Sequence, residues 1–324
     1  MSILCAGLIV CDVIVSPVPK DVMYNDSSRI DTLKMASGGD ALNVAVVLAK
    51  LGVSVSLCGM AGVDAFGNFV ADEVKRAGVD TSTIIRNSEY ATSTSIVLIE
   101  NGGERHFAYY GKTNDELKAE DILKCDFNKY RHLHIGSAMA LKSLDGEGLR
   151  DVLKYAKDEG LTTSFDVTWD SDGVWLDKIK SALYYCDYFL PSFEESQKIS
   201  GCESIDDMKA FYSQFNIKRL VIKMGEAGSF ATDFTNEYYT PIIKKGEVVD
   251  TTGAGDCYAG GFLCATYHGL DLRESAIFAT AVASDCVTQY GANAGVKPLS
   301  ETVEYLSVNK MLSCDDIAKF NVGE

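Results

Sequence analysis

The sequence predicts an α/β fold in which one mostly parallel sheet carries helices on both faces and a small β-strand lid projects from it. Three observations point there. From His132 onward, short apolar runs alternate with helical stretches. Two glycine-rich strings, at 38–45 and 250–256, each open a helix rich in small apolar residues. Two β-like stretches, at about 13–36 and 91–112, stand outside the alternation and supply the lid. No linker, repeat or low-complexity segment interrupts the chain, so residues 1–324 are expected to form one domain, with the lid built discontinuously from those two stretches.

In order, residues 4–10 are almost wholly apolar, as in a strand buried on both faces. Residues 41–51 read as a helix closed by Gly52, 53–57 as a strand, and 66–77 as an amphipathic helix closed by Gly78. Residues 93–99 and 104–110 flank Asn101-Gly102, a strong hairpin signal. Strands are expected at 132–135, 163–167, 188–190 and 220–223, with helices such as 148–158 between them. Glu247-Val248-Val249 reads as a short β-like run before the second glycine string.

The 324 residues are 47% hydrophobic and 23% charged, which suits a buried core rather than disorder. A formal net charge of −16 argues against nucleic acid or anionic lipid as a partner, since both reward basic surfaces. The ten cysteines form no CxxC pair, so free thiols in a reducing cytoplasm are expected rather than disulfides or a zinc site. The apolar start lacks a basic segment and meets Asp12 early, so it reads as a strand and not a signal peptide. No apolar run approaches the roughly 18 residues of a membrane span.

Most of the chemistry lies in Asp250-Thr251-Thr252-Gly253-Ala254-Gly255-Asp256, before the apolar helix that starts near Cys257. Glycines there let a ligand approach the backbone. The first N–H groups of a helix lack internal partners and, with the helix dipole, form an anion site. A phosphoryl group in transfer is an anion that suits such a site. Asp256 stands beside it, where a carboxylate can take the proton of an attacking hydroxyl. The bland alternative is a helix cap. Gly38-Gly39-Asp40-Ala41-Leu42-Asn43-Val44-Ala45 opens the earlier helix, and its glycines and Asn43 suit close contact with a sugar.

These two strings, with Gly52 and Gly62 after the first and CYAGGFL completing the second, resemble the paired signatures of the ribokinase-like (PfkB) carbohydrate kinases. Gly7 with Asp12, CDYFLPSFEES and VIKMGEAGSF extend the resemblance over nearly the whole chain. It implies a ribokinase-like fold and transfer of the ATP γ-phosphoryl group to a hydroxyl, with Mg²⁺ as cofactor. Asp256 resembles the catalytic base, and Gly253, Ala254 and Gly255 the anion hole. Asp12, Gly38, Gly39 and Asn43 match substrate-binding positions, and Glu195 the acid that supports magnesium. Lys223 and Gly225 fall where the nucleotide passes, and Asn293 near the adenine pocket. Asp250 and Thr252 resemble residues around a monovalent-cation site, often potassium. The family's lid often pairs with a second subunit, which implies a homodimer. Ser192 departs from the family's Asn in Asn-x-x-Glu but still offers a hydrogen bond. Gly111 after Tyr109-Tyr110, and Trp169 after Asp166-Val167-Thr168, stand where acid-sugar kinases tend to carry arginines. A carboxylate is best read by an Arg fork, so a neutral substrate is expected, a sugar or else a nucleoside.

Other signals carry less. Gly111-Lys112-Thr113 is not a P-loop, because His106 occupies the position of its first glycine. His132 and His134 share one side of a strand without a third metal ligand nearby. His106, in the lid, suits contact with substrate, and an exposed hairpin histidine explains it equally well. A catalytically silent sugar binder is disfavoured by the intact Gly-Ala-Gly-Asp turn and Glu195, and an NAD-dependent oxidoreductase by the absence of GxGxxG after the first strand.

Overall fold

A strand whose successive side chains alternate between two apolar faces needs cover on both. β1 (Ser2–Gly7) is such a strand in the computed structural model, which describes residues 2–320. Its Ile3 and Cys5 join one hydrophobic cluster and its Leu4 and Ala6 join the other, on the opposite face. After it come β2 (Val10–Val18), β3 (Thr32–Gly38), β4 (Val55–Gly62), β5 (Ile84–Asn87), β6 (Thr94–Glu100) and β7 (Arg105–Tyr110). β8 (Tyr130–Ala138), β9 (Thr162–Val167), β10 (Tyr188–Phe189), β11 (Arg219–Lys223), β12 (Ser229–Thr232) and β13 (Glu237–Thr240) complete the set among the described residues.

Nine of these form one sheet in the order β13-β12-β11-β10-β9-β8-β1-β4-β5. From β5 to β11 every neighbouring pair is parallel, and β12 and β13 continue the edge antiparallel. One face is covered by helices Asp40–Lys50, Ala254–Tyr267 and Leu272–Cys286, the other by Glu147–Asp158, Leu176–Leu183 and Ile205–Tyr212. The lid is a second sheet, β3-β2-β6-β7. The expected α/β sheet with helices on both faces is therefore present, and the second sheet is drawn from residues 10–38 and 94–110.

Some local expectations change. The strand expected over 4–10 is split: β1 ends at Gly7, whose backbone lies so close to Gly136 that a Cβ would sit 2.2 Å from its carbonyl oxygen, and the chain then leaves the large sheet to start β2 at Val10. Residues 247–249 form no strand, because no strand lies alongside them; the N–H groups of Val249 and Asp250 instead donate to the single Val287 carbonyl. The second glycine string is thus entered from irregular backbone. His132 and His134 are structural: both rings hydrogen-bond Ser164 Oγ, at 2.7 and 2.8 Å, and burial pushes the His132 pKa down to about 3. All ten cysteines are free thiols, and no helix among the described residues is long and apolar enough to cross a membrane.

Two helices lie close enough to depend on glycine. Helix Asp40–Lys50 is buried from Ala41 to Leu48, and helix Ala254–Tyr267 from Cys257 to Ala265. A Cβ on Gly260 would stand 2.6 Å from Val47 Cγ1. Gly260→Val should force the helices apart, costing about 1–3 kcal/mol as overpacking usually does, with kcat falling alongside because the same contact sets the spacing of the groups described next. Urea denaturation and steady-state kinetics on the variant check both effects.

Candidate active site

In open α/β sheets ligands bind beyond the carboxyl ends of the strands. Here Ser137 and Asp166 stand one residue before the ends of β8 and β9, and Lys223 ends β11, facing the N-termini of helices Asp40–Lys50 and Ala254–Tyr267, with the lid above. Gly253 adopts φ 73°, and a Cβ there would lie 2.1 Å from the Ala292 carbonyl oxygen. Only glycine makes this turn, which starts the helix at Ala254 and leaves its first N–H groups without intrahelical acceptors. The Lys223 ammonium lies 3.3 Å from the point where a Gly255 Cβ would be, so a fixed positive charge joins the helix dipole at the turn. Asp256 sits in the first turn.

The first glycine string meets the second here. Asn43 Nδ2 donates to Asp256 Oδ2 at 2.8 Å, so Asn43 holds the carboxylate directly, beyond the substrate contact expected of it. Asn293 Nδ2 donates to Asn43 Oδ1 at 3.2 Å, and Lys50 Nζ donates to the Asn293 carbonyl at 2.6 Å. Asn293, expected near the adenine pocket, turns its side-chain amide to Asn43. Gly38 makes room for Asp12, since a Cβ would come 2.4 Å from Asp12 Oδ2, and Gly39 precedes the helix with its backbone against Leu8.

Sequence reading missed Asp40, Asp166 and Ser137 as site residues. Ser137, at φ 67°, donates its N–H to Asp166 Oδ1 at 3.1 Å and its Oγ–H to Asp40 Oδ2. Asp40 lay within a string valued for its glycines, and nothing local marked it; Asp166 gains meaning only from its place near the end of β9. Burial raises the Asp12 carboxyl to about 6 and Asp166 to about 7, the latter eased by Lys223 and raised further by Asp40. Burial, then the negative charges of Asp40 and Asp166, hold Asp256 well above the ordinary carboxylate range, against the pull of Asn43 and Lys223.

Beside Gly255 a cleft of about 590 Å³ opens, lined by Gly225, Ile243, Val248, Ala254, Tyr258 and Val287 among others. It is apolar enough for a planar base and ends at the anion turn. Ser192 caps helix Phe193–Ser200: its Oγ accepts from the Glu195 N–H at 3.2 Å, while Glu195 Oε2 accepts from the Ser192 N–H at 2.7 Å. Glu195 also bears electrostatically on Asp40 and Asp166, so it faces the carboxylate site. Its hard oxygen donors fit Mg²⁺, which keeps most of its shell for water and phosphate.

The lid adds a residue not anticipated. Arg105 reaches down from β7, donating from Nη1 to Asp250 Oδ1 at 3.2 Å and to Thr252 Oγ1 at 2.9 Å. Asp250 also accepts from Thr252 N–H and Oγ–H and from Gly291 N–H. The side-chain oxygens assigned to a monovalent cation already face a guanidinium, so this arrangement does not fit a potassium ion on them. His106 stands as an exposed hairpin histidine, the second of its two expected readings. Neighbours on a strand point to opposite faces, so with Arg105 turned inward His106 lies on the outer face opposite Leu98, where its Nε2 bonds Glu100 Oε1 at 2.9 Å.

The raised Asp166 gives a signed prediction. A carboxyl whose folded pKa lies above its unfolded value contributes stability that is full at low pH and lost as pH rises through the folded value. Relative to Asp166→Asn, the parent should lose stability between about pH 4 and about pH 7, the gap reaching roughly 4 kcal/mol. Paired thermal melts across that range test it, and parallel curves would refute it.

The profile of the pfkB family carbohydrate kinases matches residues 2–298. A 5-dehydro-2-deoxygluconokinase of Geobacillus thermodenitrificans is 27% identical over 282 residues, covering 83% of each chain. A probable fructokinase-5 of Arabidopsis thaliana is 30% identical over 278 residues, covering 79% of this chain and 84% of that one. The crystal structure of fructokinase with bound ATP from Xylella fastidiosa superposes with TM-score 0.81 at 24% identity, over 95% of this chain and 99% of the other. With the fold, both glycine turns and their site in place, the chain belongs to the pfkB family of carbohydrate kinases and is a sugar kinase, a phosphotransferase with an alcohol acceptor.

Proposed function

We propose that the protein transfers the ATP γ-phosphoryl group to a hydroxyl of a small neutral sugar, with Asp256 as general base. The observation that carries this reading is the placing of Asp256 in the first turn of helix Ala254–Tyr267, with the Lys223 ammonium beside the same turn. The adenosine occupies the 590 Å³ cleft beside Gly225. Asp256 takes the hydroxyl proton, the sugar oxygen attacks the γ-phosphorus in line, and the bond to the β–γ bridging oxygen breaks to release ADP. Helix N–H groups of the Gly253–Asp256 turn and Lys223 balance the charge on the transferring group. Mg²⁺ near Glu195, when bound, neutralises phosphate charge. Asp12 accepts substrate hydroxyls, and the lid excludes water that would otherwise accept the phosphoryl group.

The neutral substrate follows from electrostatics. Asp40, Asp166 and Asp256 bear on one another electrostatically, and an acid sugar would bring negative charge beside carboxyls that already resist ionising. Among the relatives, some are named for deoxygluconate sugars and others for fructose, so this choice is open to experiment. The free thiols fit a cytoplasmic enzyme. The outer lid face exposes Leu33 and Ile96, which supports a homodimer through the lid.

An ADP-release assay with Mg-ATP across neutral sugars, sugar acids and nucleosides should find a neutral sugar as best acceptor. Asp256→Asn should lower kcat by about 10²–10⁴ while the KM for ATP stays near the parent value. Undiminished turnover in that variant would remove Asp256 as the base, and a sugar acid or nucleoside as best acceptor would overturn the substrate class. Ile96→Glu should run as a monomer in light scattering if the lid forms the dimer, and an unchanged mass would refute that interface.

A further inference from the structure

A carboxylate only accepts hydrogen bonds, whereas a side-chain amide donates from one end and accepts at the other. Asn43 therefore helps Asp256 only when its NH₂ end faces the carboxylate. Nothing in Asn43 itself selects that end: turned over, its Oδ1 would stand 2.8 Å from Asp256 Oδ2 and repel it. Selection comes from the next residue along. Asn293 presents its own NH₂ to Asn43 Oδ1 at 3.2 Å, which suits only the orientation with Asn43 Nδ2 toward Asp256.

We infer that Asn293 is a positioning residue for the general base, fixing the direction of the Asn43 amide and through it the orientation of the Asp256 carboxylate. The inference rests on the reading of Asp256 as the base. The segment carrying Asn293 is itself pinned. Lys50 Nζ donates to the Asn293 carbonyl at 2.6 Å, the thiols of Cys257 and Cys286 both donate to the Ala292 carbonyl at 3.2 and 3.3 Å, and Gly291 N–H donates to Asp250 Oδ2 at 3.1 Å. The result is a polarised chain, Asn293 to Asn43 to Asp256, across two helix termini and a loop. It engages Oδ2 of Asp256 and leaves Oδ1, which accepts from no group among the described residues, to take the substrate proton.

The relay also sets where Asp256 titrates. Asp40 on helix Asp40–Lys50 and Asp166 on β9 oppose its ionisation, and Lys223 on β11 favours it. These groups remain in an Asn293 variant, as does the buried Cys257 thiol next in sequence. In a variant that adds no charge, such as Asn293→Leu, a change in titration then reports the loss of the Asn43 donor.

The test uses the full-length enzyme with its best acceptor and Mg-ATP. Asn293→Leu removes the donor, and Asn293→Asp keeps the volume while facing Asn43 Oδ1 with an acceptor. Both should lower kcat about tenfold or more, the usual worth of a hydrogen bond to a charged group. Both should also move the acid limb of the kcat profile upward by about one pH unit, with the KM for sugar and for ATP near the parent values. Should the Leu variant fail to fold by circular dichroism, Asn293→Ala, which likewise adds no charge, carries the test. A folded variant whose pH profile superimposes on the parent's, or one that raises KM at unchanged kcat, overturns the relay. Asp256→Asn, run alongside, separates the two readings: if it stays active the base assignment fails, and if it is inactive while the Asn293 variants match the parent, only the relay fails.

Discussion

The approach of helix Asp40–Lys50 to helix Ala254–Tyr267 is the contact on which the rest of the site depends. Gly260 has no side chain to hold Val47 away, and Gly261 does the same against Ala279 and Val282 of the next helix. A buried helix rich in Gly and Ala gives up intrinsic helical stability for closeness of backbones. In return, the N-termini of two helices that carry ligand-binding turns converge, and Asn43 stands 2.8 Å from a carboxylate 213 residues further along the chain.

That convergence concentrates negative charge. Asp40, Asp166 and Asp256 are brought to one place, with Lys223 as the fixed cation among them. Desolvation raises the carboxyls, and their mutual repulsion raises them further. The unliganded site is therefore electrostatically strained in a way useful to a kinase. A base whose pKa is raised toward the working pH is a better proton acceptor in the transition state. The strain is contained locally: Ser137 in a left-handed conformation satisfies two of the acids, and Asn43 satisfies a third.

The lid connects to this centre through one side chain. Arg105 joins β7 to Asp250 and Thr252, just before the anion turn, so closure of the lid and the shape of the turn are mechanically coupled. The inward face of the lid holds Asp12 and Tyr109 as well, the latter accepting from Asn114 Nδ2 at 3.0 Å. Asn114 also donates to the Ile9 carbonyl, tying the hairpin back to the strand that enters the lid.

What the sequence determined by itself was local. Apolar runs, glycine stops and an Asn-Gly turn marked most strands and helices, because burial and backbone freedom act over a few residues. The Gly253–Asp256 turn was legible for the same reason, since a helix N-terminus is built from consecutive residues. Only the tertiary structure decided which way side chains distant in sequence would face. Strand parity turned Arg105 inward and His106 outward. The path of the 291–296 loop carried Asn293 to Asn43. Asp40 became a site residue only because β8 ends against the helix that it opens. Residues 247–249 looked like a strand but had no strand beside them. Propensity and pattern specify what each segment is able to form; partners, faces and distances follow from packing, which no local window contains.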